Sequence, residues 1–390
     1  RTGPPFSFPR LGAVSPAIEI PSVDVKAALA AGTQLIDLRS PGEFAEDHLP
    51  GAVNIPLLDD AQRHVVGFLY KQRSPEAAYA EARRFVEENV PGMLEALDPI
   101  LGLPSDRIDP SLAVAVHPGY LTPVRATAEV KAVAYCWRGG FRSRVSCHLL
   151  KEIGYDGVAL LEGGYRSWRR RVVARLEEER PGPFLVLRGM TGTGKTDLLH
   201  RVEQARPGLT LDLEGLARHR SSILGAVGLE PRTQKAFDTH LVERLDQIAG
   251  SSPVLVEGES RKVGNVILPA GVFEAVETGE EVRLVCSTAR RVRLLADEYM
   301  DTAEKRAEMR PHLPFIEGRL GRRWAGALVG LLDDGRFEDL VEALLEHYYD
   351  PLYLQTEKRR AQRLGSAVRP MEEVDAEDLA AASNEVSGLL

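Results

Sequence analysis

Cysteine is scarce in this chain: three in 390 residues, Cys136, Cys147 and Cys286. They are too few and too scattered for a disulfide framework or a zinc site, so neither zinc nor haem is expected and a reducing, cytoplasmic setting is. No apolar run approaches the roughly 20 residues that a membrane span needs, and no signal peptide is visible. No membrane partner is therefore expected. Internal repeats and low-complexity tracts are absent too. Positive charge is in deficit, with a formal net charge of −8. That argues against nucleic acid as a partner, although local clusters matter more than the sum. What is present is ordinary for a globular protein: 44% hydrophobic and 27% charged residues, in a length that suits two or three domains. The Pro-rich opening, RTGPPFSFPR, is set aside as a lead-in.

The stretch AVAYCWRGGFRSRVSC, Ala132–Cys147, organises the first half. It reads as a buried strand over Ala132–Tyr135, a tight glycine-bearing loop, and a helix that ends near Ile153-Gly154. Cys136 sits where the strand ends. Gly139 and Gly140 let the backbone curl so that successive N–H groups point inward, a nest for anions. Arg138 and Arg142 add positive charge, and the helix beginning near Ser143 adds its dipole. All of these lower the pKa of Cys136 toward the nucleophilic thiolate. The alternative is a buried structural cysteine.

Other elements follow from pattern. Ser22–Ala31 reads as a helix with Ser22 as N-cap, and Leu35–Leu38 and Ala52–Ile55 as short strands. Asp60 to about Glu95 carries two amphipathic helices, and the Pro- and Gly-rich Leu101–Thr127 reads as loop. Val158–Leu161 is a strand, then a basic helix runs over Arg166–Arg180. Strands alternating with helices predict an α/β parallel sheet. Pro181-Gly182-Pro183 marks a domain boundary, giving domains over 15–180, with a helical insertion near 60–127, and 184–390.

Beyond that boundary a strand, Phe184–Leu187, runs into Gly189-Met190-Thr191-Gly192-Thr193-Gly194-Lys195-Thr196 and then a helix. This matches G-x-x-x-x-G-K-[ST] in the strand–loop–helix setting it requires. Backbone N–H groups of Gly189, Thr191, Gly192, Thr193 and Gly194 wrap a phosphate, Lys195 supplies a cation, and the Thr196 hydroxyl can ligate Mg2+. A second strand, Leu209–Leu213, contains Asp212 and precedes Arg218, His219, Arg220, Ser221 and Ser222, which suit an anionic ligand or a solvated polar loop. A third, Val254–Val256, ends at Glu257 and Glu259, where a P-loop protein places its Mg2+-side carboxylate, with Ser260 and Arg261 following. A fourth strand, Val282–Val285, ends at Cys286, which reads as a core residue. Basic clusters at 290–293, 319–323 and 358–363 are either solvated helix faces or a footprint for a phosphate backbone. The acidic segment after Met371 packs as a short helix or stays loose.

Two signatures thus stand in one chain. LIDLRSPGEFAEDHLPGAVNIP (Leu35–Pro56), YCWRGGFRS (Tyr135–Ser143) and LLEGGYRSW (Leu160–Trp168) resemble a rhodanese domain. GMTGTGKT, DLEGLARHRSS (Asp212–Ser222) and VEGESRKVGNVILP (Val256–Pro269) belong to a P-loop domain with a helical C-terminal extension. The pairing, from about Ile18 to at least Pro269, resembles the bacterial tRNA 2-selenouridine synthases. The resemblance implies a transferase acting on tRNA for Lys, Glu and Gln that carries 2-thiouridine at the wobble position. The co-substrates it implies are geranyl diphosphate, which alkylates the sulfur, and selenophosphate, whose selenium then displaces the geranylthio group. Cys136 takes the selenium-carrier position, as an S-selanyl cysteine formed with release of phosphate. Arg138, Gly139, Gly140, Arg142 and Ser143 would hold the selenophosphate, with Asp37 and Arg39 beside them. The P-loop would cradle the diphosphate, with a nucleotide as the other candidate ligand. A selenophosphate-producing enzyme is a candidate partner. Trp137, Trp168 and Trp324 are candidate stacking platforms for the base, and Arg166–Arg175 and Arg290–Arg323 candidate contacts for tRNA phosphates.

One spacing departs from many rhodanese loops: Cys136 to Arg142 is C-x5-R, which cysteine phosphatases also show. A sulfurtransferase or cysteine phosphatase fused to an NTP-dependent kinase-like domain is the second reading, although no Asp-bearing loop stands out as its general acid. A non-catalytic nucleotide-sensing module is the third.

Overall fold

The computed structural model describes residues 18–30, 32–103, 118–248, 250, 253–364 and 372–390. The opening lead-in and residues 104–117 of the Pro- and Gly-rich stretch lie outside them. The chain divides into two compact units, residues 1–173 and 174–390.

The first unit has six strands: β1 (Ile18–Val23), β2 (Gln34–Asp37), β3 (Val53–Asn54), β4 (Leu121–Arg125), β5 (Ala132–Tyr135) and β6 (Val158–Leu161). They form one parallel sheet in the order β3–β2–β5–β6–β1–β4. β5 (AVAY) and β6 (VALL) are buried at every position, the continuous apolar run that a strand covered on both faces requires. The helices are α1 (Val25–Ala28), α2 (Pro41–Glu46), α3 (Asp60–Gln72), α4 (Pro75–Leu101), α5 (Phe141–Glu152) and α6 (Tyr165–Glu178), inside which the division falls. Apolar side chains of α4, among them Val86, Val90, Leu94 and Leu97, join the core that covers the sheet with Ile36, Ala134 and Leu160. Asp37 is in register with Tyr135, so the ends of β2 and β5 lie side by side and Cys136 emerges between β2 and β6.

Two expectations fail here for one reason, proline in a strand. Ser22 is not an N-cap: it lies in β1, and the cap of α1 is Asp24, which accepts from Ala27 N at 2.8 Å. Pro21 is tolerated because β1 pairs with β6 only from Ser22 onward. Likewise β4 occupies part of the supposed loop; its Pro123 sits in an edge strand, where a missing N–H costs little. The second insertion helix also continues past Glu95 to Leu101, where Gly102 closes it at φ +62°.

The second unit has a five-stranded parallel sheet, β13–β12–β7–β9–β8. Its strands are β7 (Phe184–Arg188), β8 (Thr210–Leu211), β9 (Val254–Glu257), β12 (Glu280–Val285) and β13 (Glu372–Asp375), and a two-stranded hairpin pairs β10 (Lys262–Val263) with β11 (Val266–Ile267). β7 is followed by α7 (Lys195–Ala205); α8 (Leu213–Ala217), α9 (Gln234–Gln247) and α10 (Ala270–Thr278) come next. From β7 the chain moves to β8 on one side, and later to β12 on the other. Ligands of open α/β sheets bind at such a switch, outside the carboxyl ends of the strands. α11 (Thr288–Met300), α12 (Ala303–Met309), α13 (Leu313–Leu320), α14 (Ala327–Asp333), α15 (Phe337–Leu344) and α16 (Asp350–Leu364) follow, and α11 to α15 share their own apolar core. The acidic segment is neither loose nor only helical: β13 precedes α17 (Leu379–Leu389). Its strand was hidden because only Val374 of Glu-Glu-Val-Asp faces the core. Among the described residues no helix is long and apolar enough to cross a membrane.

Candidate active sites

In the first unit the backbone after β5 folds over Cys136, leaving 4% of the residue exposed. Gly140 N donates to Sγ at 3.3 Å, and Ser143 Oγ lies 3.2 Å from it. Burial pushes this thiol up, but Arg142, Ser143 and the Gly140 N–H together bring it below the ordinary cysteine value. Cys147 has no such partners, and burial pushes it far up. Of the two arginines expected at the thiol, Arg142 acts on it, whereas Arg138 is exposed. Arg142 Nη1 donates to Glu43 Oε2 at 2.8 Å. Burial pushes the Glu43 carboxyl up, yet Arg142 and Arg63 hold it below its usual value, so it stays ionised.

Three features that no local sequence signal marks shape this loop. Gly164, at φ +60°, lies against it so closely that a Cβ would stand 2.3 Å from Cys136 O and 2.5 Å from Gly139 N. Only glycine fits, and the next amides close the contact, Tyr165 N to Cys136 O at 2.9 Å and Arg166 N to Trp137 O at 3.0 Å. Arg144 braces the other side, donating to Gly139 O at 3.2 Å and Leu121 O at 3.0 Å. Glu43 is the third. The Gly-Gly-Tyr motif was legible as a pattern; its fit beneath Cys136 was not.

Asp37 and Arg39 do not reach a ligand from here. Both are buried, 0% and 1% exposed, and Arg39 bonds both Asp37 oxygens, the shortest at 2.6 Å, and Asp47 O at 2.7 Å. The guanidinium lies 3.9 Å from the Tyr165 ring centroid, and the Tyr165 hydroxyl donates to Asp47 at 2.7 Å. They brace the floor of the site. Trp168 is likewise buried core, not a platform.

In the second unit the loop after β7 turns through Gly189 (φ +152°), Gly192 (φ +82°) and Gly194 (φ +84°) into α7. A Cβ at Gly189 would meet Thr193 Oγ1 at 2.7 Å and Leu284 O at 2.9 Å, so the loop is close-packed from behind. Lys195 Nζ donates to Gly189 O (2.9 Å) and Met190 O (3.3 Å), across the hollow where a phosphate would sit. Thr193 Oγ1 donates to Met190 O at 3.0 Å, and Thr196 is half-buried in the first turn of α7.

Beside it stand four carboxylates. Asp212 caps α8 by accepting from Gly215 N at 2.7 Å and bonds His200 Nε2 at 2.9 Å. Glu257 is completely buried; one oxygen accepts from Leu213 N at 2.8 Å and the other has no donor. Burial, with the charges of Asp212, Glu214 and Glu259, pushes it well above the usual carboxylate range. Burial, then Glu259, pushes Glu214 up to about 8, against the pull of Lys195. Glu257, the residue expected on the Mg2+ side, stands enclosed at the end of β9 beside Asp212 and Glu214. Among the described residues no group of three or more His, Cys, Asp or Glu side chains is arranged to hold a metal.

The basic loop after α8 divides. Arg218 is exposed. Arg220 turns away to Glu298 (2.6 Å), Val227 O (3.0 Å) and the face of Tyr299. His219 lies between Gly225 and Gly264, where Cβ atoms would stand 2.7 and 2.2 Å from its ring, and its Nδ1 is buried with no partner, as is Ser221 Oγ. Ser222 meets Tyr349. Ser260 bonds Lys262 O at 2.7 Å and Arg261 is exposed.

Two basic clusters divide: Arg293, Lys358, Arg359 and Arg363 are exposed, whereas the others turn inward. Arg290 and Arg291 are buried beside the phosphate loop, and Arg291 pairs with Asp350. Arg360 pairs with Glu281 and Glu277, and Arg363 with Glu277.

Comparison with known proteins bears on both units. Residues 182–320 match the family described as tRNA 2-selenouridine synthase AAA domain, and residues 23–85 match the rhodanese-like domain. The tRNA 2-selenouridine synthase of Nitrosomonas europaea is 32% identical, over 86% of this chain and 92% of its own. That of Bordetella bronchiseptica is 32% identical over 87% and 93%. That of a Sulfurovum species is 31% identical over 89% and 95%. With its cysteine nest and its P-loop carried along the length of such relatives, the chain belongs to the tRNA 2-selenouridine synthase family.

Proposed function

We propose that this enzyme converts 2-thiouridine to 2-selenouridine at the wobble position of tRNA for Lys, Glu and Gln, with residues 15–180 handling selenium and residues 184–390 the diphosphate. The observation that carries it is the depressed thiol of Cys136 in an N–H nest, in the same chain as a P-loop. In the first step the thiocarbonyl sulfur attacks C1 of geranyl diphosphate and diphosphate leaves. A poor leaving group at C2 thereby becomes a thiol. Lys195 and the loop amides take the diphosphate charge. Leu295, which lies where a Cβ on Gly192 would be, and the neighbouring Val292 and Tyr299 supply an apolar surface beside the loop for the geranyl chain.

In the second step Cys136 takes selenium from selenophosphate. An S–Se bond forms, the Se–P bond breaks, and water delivers phosphate, with Arg142 and the loop amides holding its oxygens. Two electrons are left over, so a disulfide-class acceptor is reduced to two thiols. The selanyl group displaces geranylthiol at C2, and the two thiols then release the selenium from Cys136 and restore the disulfide. The exposed arginines Arg166, Arg170 and Arg171 suit tRNA phosphates. Binding should weaken steeply with salt despite the acidic pI.

Mass spectrometry of nucleosides tests this, using thiolated tRNA with the protein and geranyl diphosphate, with and without selenophosphate plus thiol and disulfide. S-geranyl-2-thiouridine in one tube and 2-selenouridine in the other are expected. No change in either, with folded protein and intact tRNA, moves the weight to a phosphatase or sulfurtransferase.

A further inference from the structure

The phosphate loop is gripped from outside by one short stretch of the chain. Between α15 and α16, Leu345–Tyr349 forms a π-helical turn. Such a turn holds one residue more than an α-turn and recurs at functional sites. The extra residue rotates the side chains beyond it by about 100° around the helix axis, since an α-helix has 3.6 residues per turn. The residues so re-aimed all face the loop or its neighbour. Tyr349, at the end of the turn, is half-buried with its hydroxyl beside the Ser222 side chain. Asp350 receives Arg291 Nη1 at 3.0 Å and Nη2 at 2.5 Å. The Tyr353 hydroxyl, one turn on, is buried near the Gly189 backbone with no hydrogen-bond partner.

Arg291 carries the grip to the crest of the loop. It is 3% exposed, and its Nε donates to Thr191 O at 2.8 Å while Nη1 reaches Met190 Sδ at 3.5 Å. Its own carbonyl lies 3.2 Å from where a Cβ on Gly192 would be. A peptide whose carbonyl is drawn outward turns the following N–H inward, which is the orientation an anion nest needs. A planar fork can serve Asp350 and Thr191 O at once; an ammonium cannot.

We propose that the π turn and the start of α16 form a brace that holds the phosphate loop open for a diphosphate group, with Asp350 a positioning residue acting through Arg291. The brace also ties the loop to Ser222, so the two walls of the pocket keep their spacing. This rests on the reading of the loop as a diphosphate cradle.

The test is calorimetric binding of inorganic diphosphate to the full chain and to Arg291→Lys, Asp350→Asn and the double variant. Each single change should weaken binding at least tenfold, and the double should be no worse than about twofold beyond the weaker single, because both remove one coupled contact. Asp350→Glu, which keeps the charge, should recover most of the affinity. A purely structural role would instead track the melting temperature, and Asp350→Glu would not restore binding. Should Asp350→Asn fail to fold, Tyr349→Phe removes one hydroxyl and should weaken binding severalfold. Single variants that bind as tightly as the parent overturn the brace. A parent that binds no diphosphate overturns the cradle, and the brace with it.

Discussion

Replacing Arg142 by glutamine should raise the pKa of Cys136 from below the ordinary cysteine value to above it. In the folded chain burial opposes the thiolate, and Arg142 is the first group that favours it, followed by Ser143 and Gly140. An opposite charge at contact range lowers a pKa by about 1–3 units, so its loss should move the midpoint up by about that much. The variant also leaves Glu43 half-enclosed without its nearest cation, and that negative charge adds to the rise. At pH values below the parent's midpoint the thiolate fraction falls about tenfold to a thousandfold. The less acidic thiol is a better nucleophile, with a Brønsted slope near 0.4–0.5, which recovers about half of the loss on a log scale. The net drop in alkylation rate is about 3- to 40-fold. The assay is iodoacetamide alkylation from pH 5 to 10, read by intact mass in a Cys286→Ser background. Cys147 is fully enclosed and its thiol is pushed far up, so it does not compete. Arg142→Lys should shift the midpoint less than glutamine does. A midpoint that moves by under half a unit, or downward, refutes the account of the nest.

Gly164→Ala should destabilise the first unit by about 2–4 kcal/mol through overlap with Cys136 O and the positive φ, seen as a lower thermal midpoint. Asp37→Asn strands the buried Arg39 guanidinium and should cost about 3–5 kcal/mol in urea titration; a loss below 1 kcal/mol would show the pair to be dispensable. Lys195→Ala should abolish diphosphate binding while leaving Cys136 alkylation unchanged, and loss of both would show that it disrupts the whole chain. Glu214, pushed up to about 8, holds a proton in the folded chain between about pH 4.5 and 8 that the unfolded chain releases, so stability falls as pH rises through that window. Glu214→Gln should flatten that slope; parallel urea midpoints for parent and variant at pH 5, 7 and 9 would contradict it.

Both loops were legible because each is contiguous. A buried strand, glycines at fixed offsets and a helix start are local signals, and Cys136 and Lys195 are placed by them. The side chains that tune those loops are not local. Glu43 reaches Arg142 across 99 residues and Asp350 reaches Arg291 across 59. Arg290, Arg291 and Arg360 read as charge on helix faces because composition reports the sign of a side chain and not its partner. Glu257 stands at the strand end where it was expected, but the upward push on its carboxyl comes from burial beside Asp212, Glu214 and Glu259, which only the folded chain brings together. Strands β1 and β4 were obscured by prolines whose cost depends on which neighbour a strand lacks, and β13 by acidic residues on an exposed edge.

That last strand has a consequence for synthesis on the ribosome. β12 pairs on one side with β7, which precedes it, but on the other with β13, roughly 90 residues later, and Val386 of α17 completes the apolar cluster that packs against α7. At about 5–20 residues per second, the flank of β12 and the apolar back of the P-loop helix wait on the order of 5–20 s for their cover. During that interval the nascent chain presents an unpaired strand edge, a surface that chaperones recognise and that neighbouring chains on the same message can pair with. Slowing translation upstream of β13 should therefore lower the soluble yield more than slowing it after α17 has emerged.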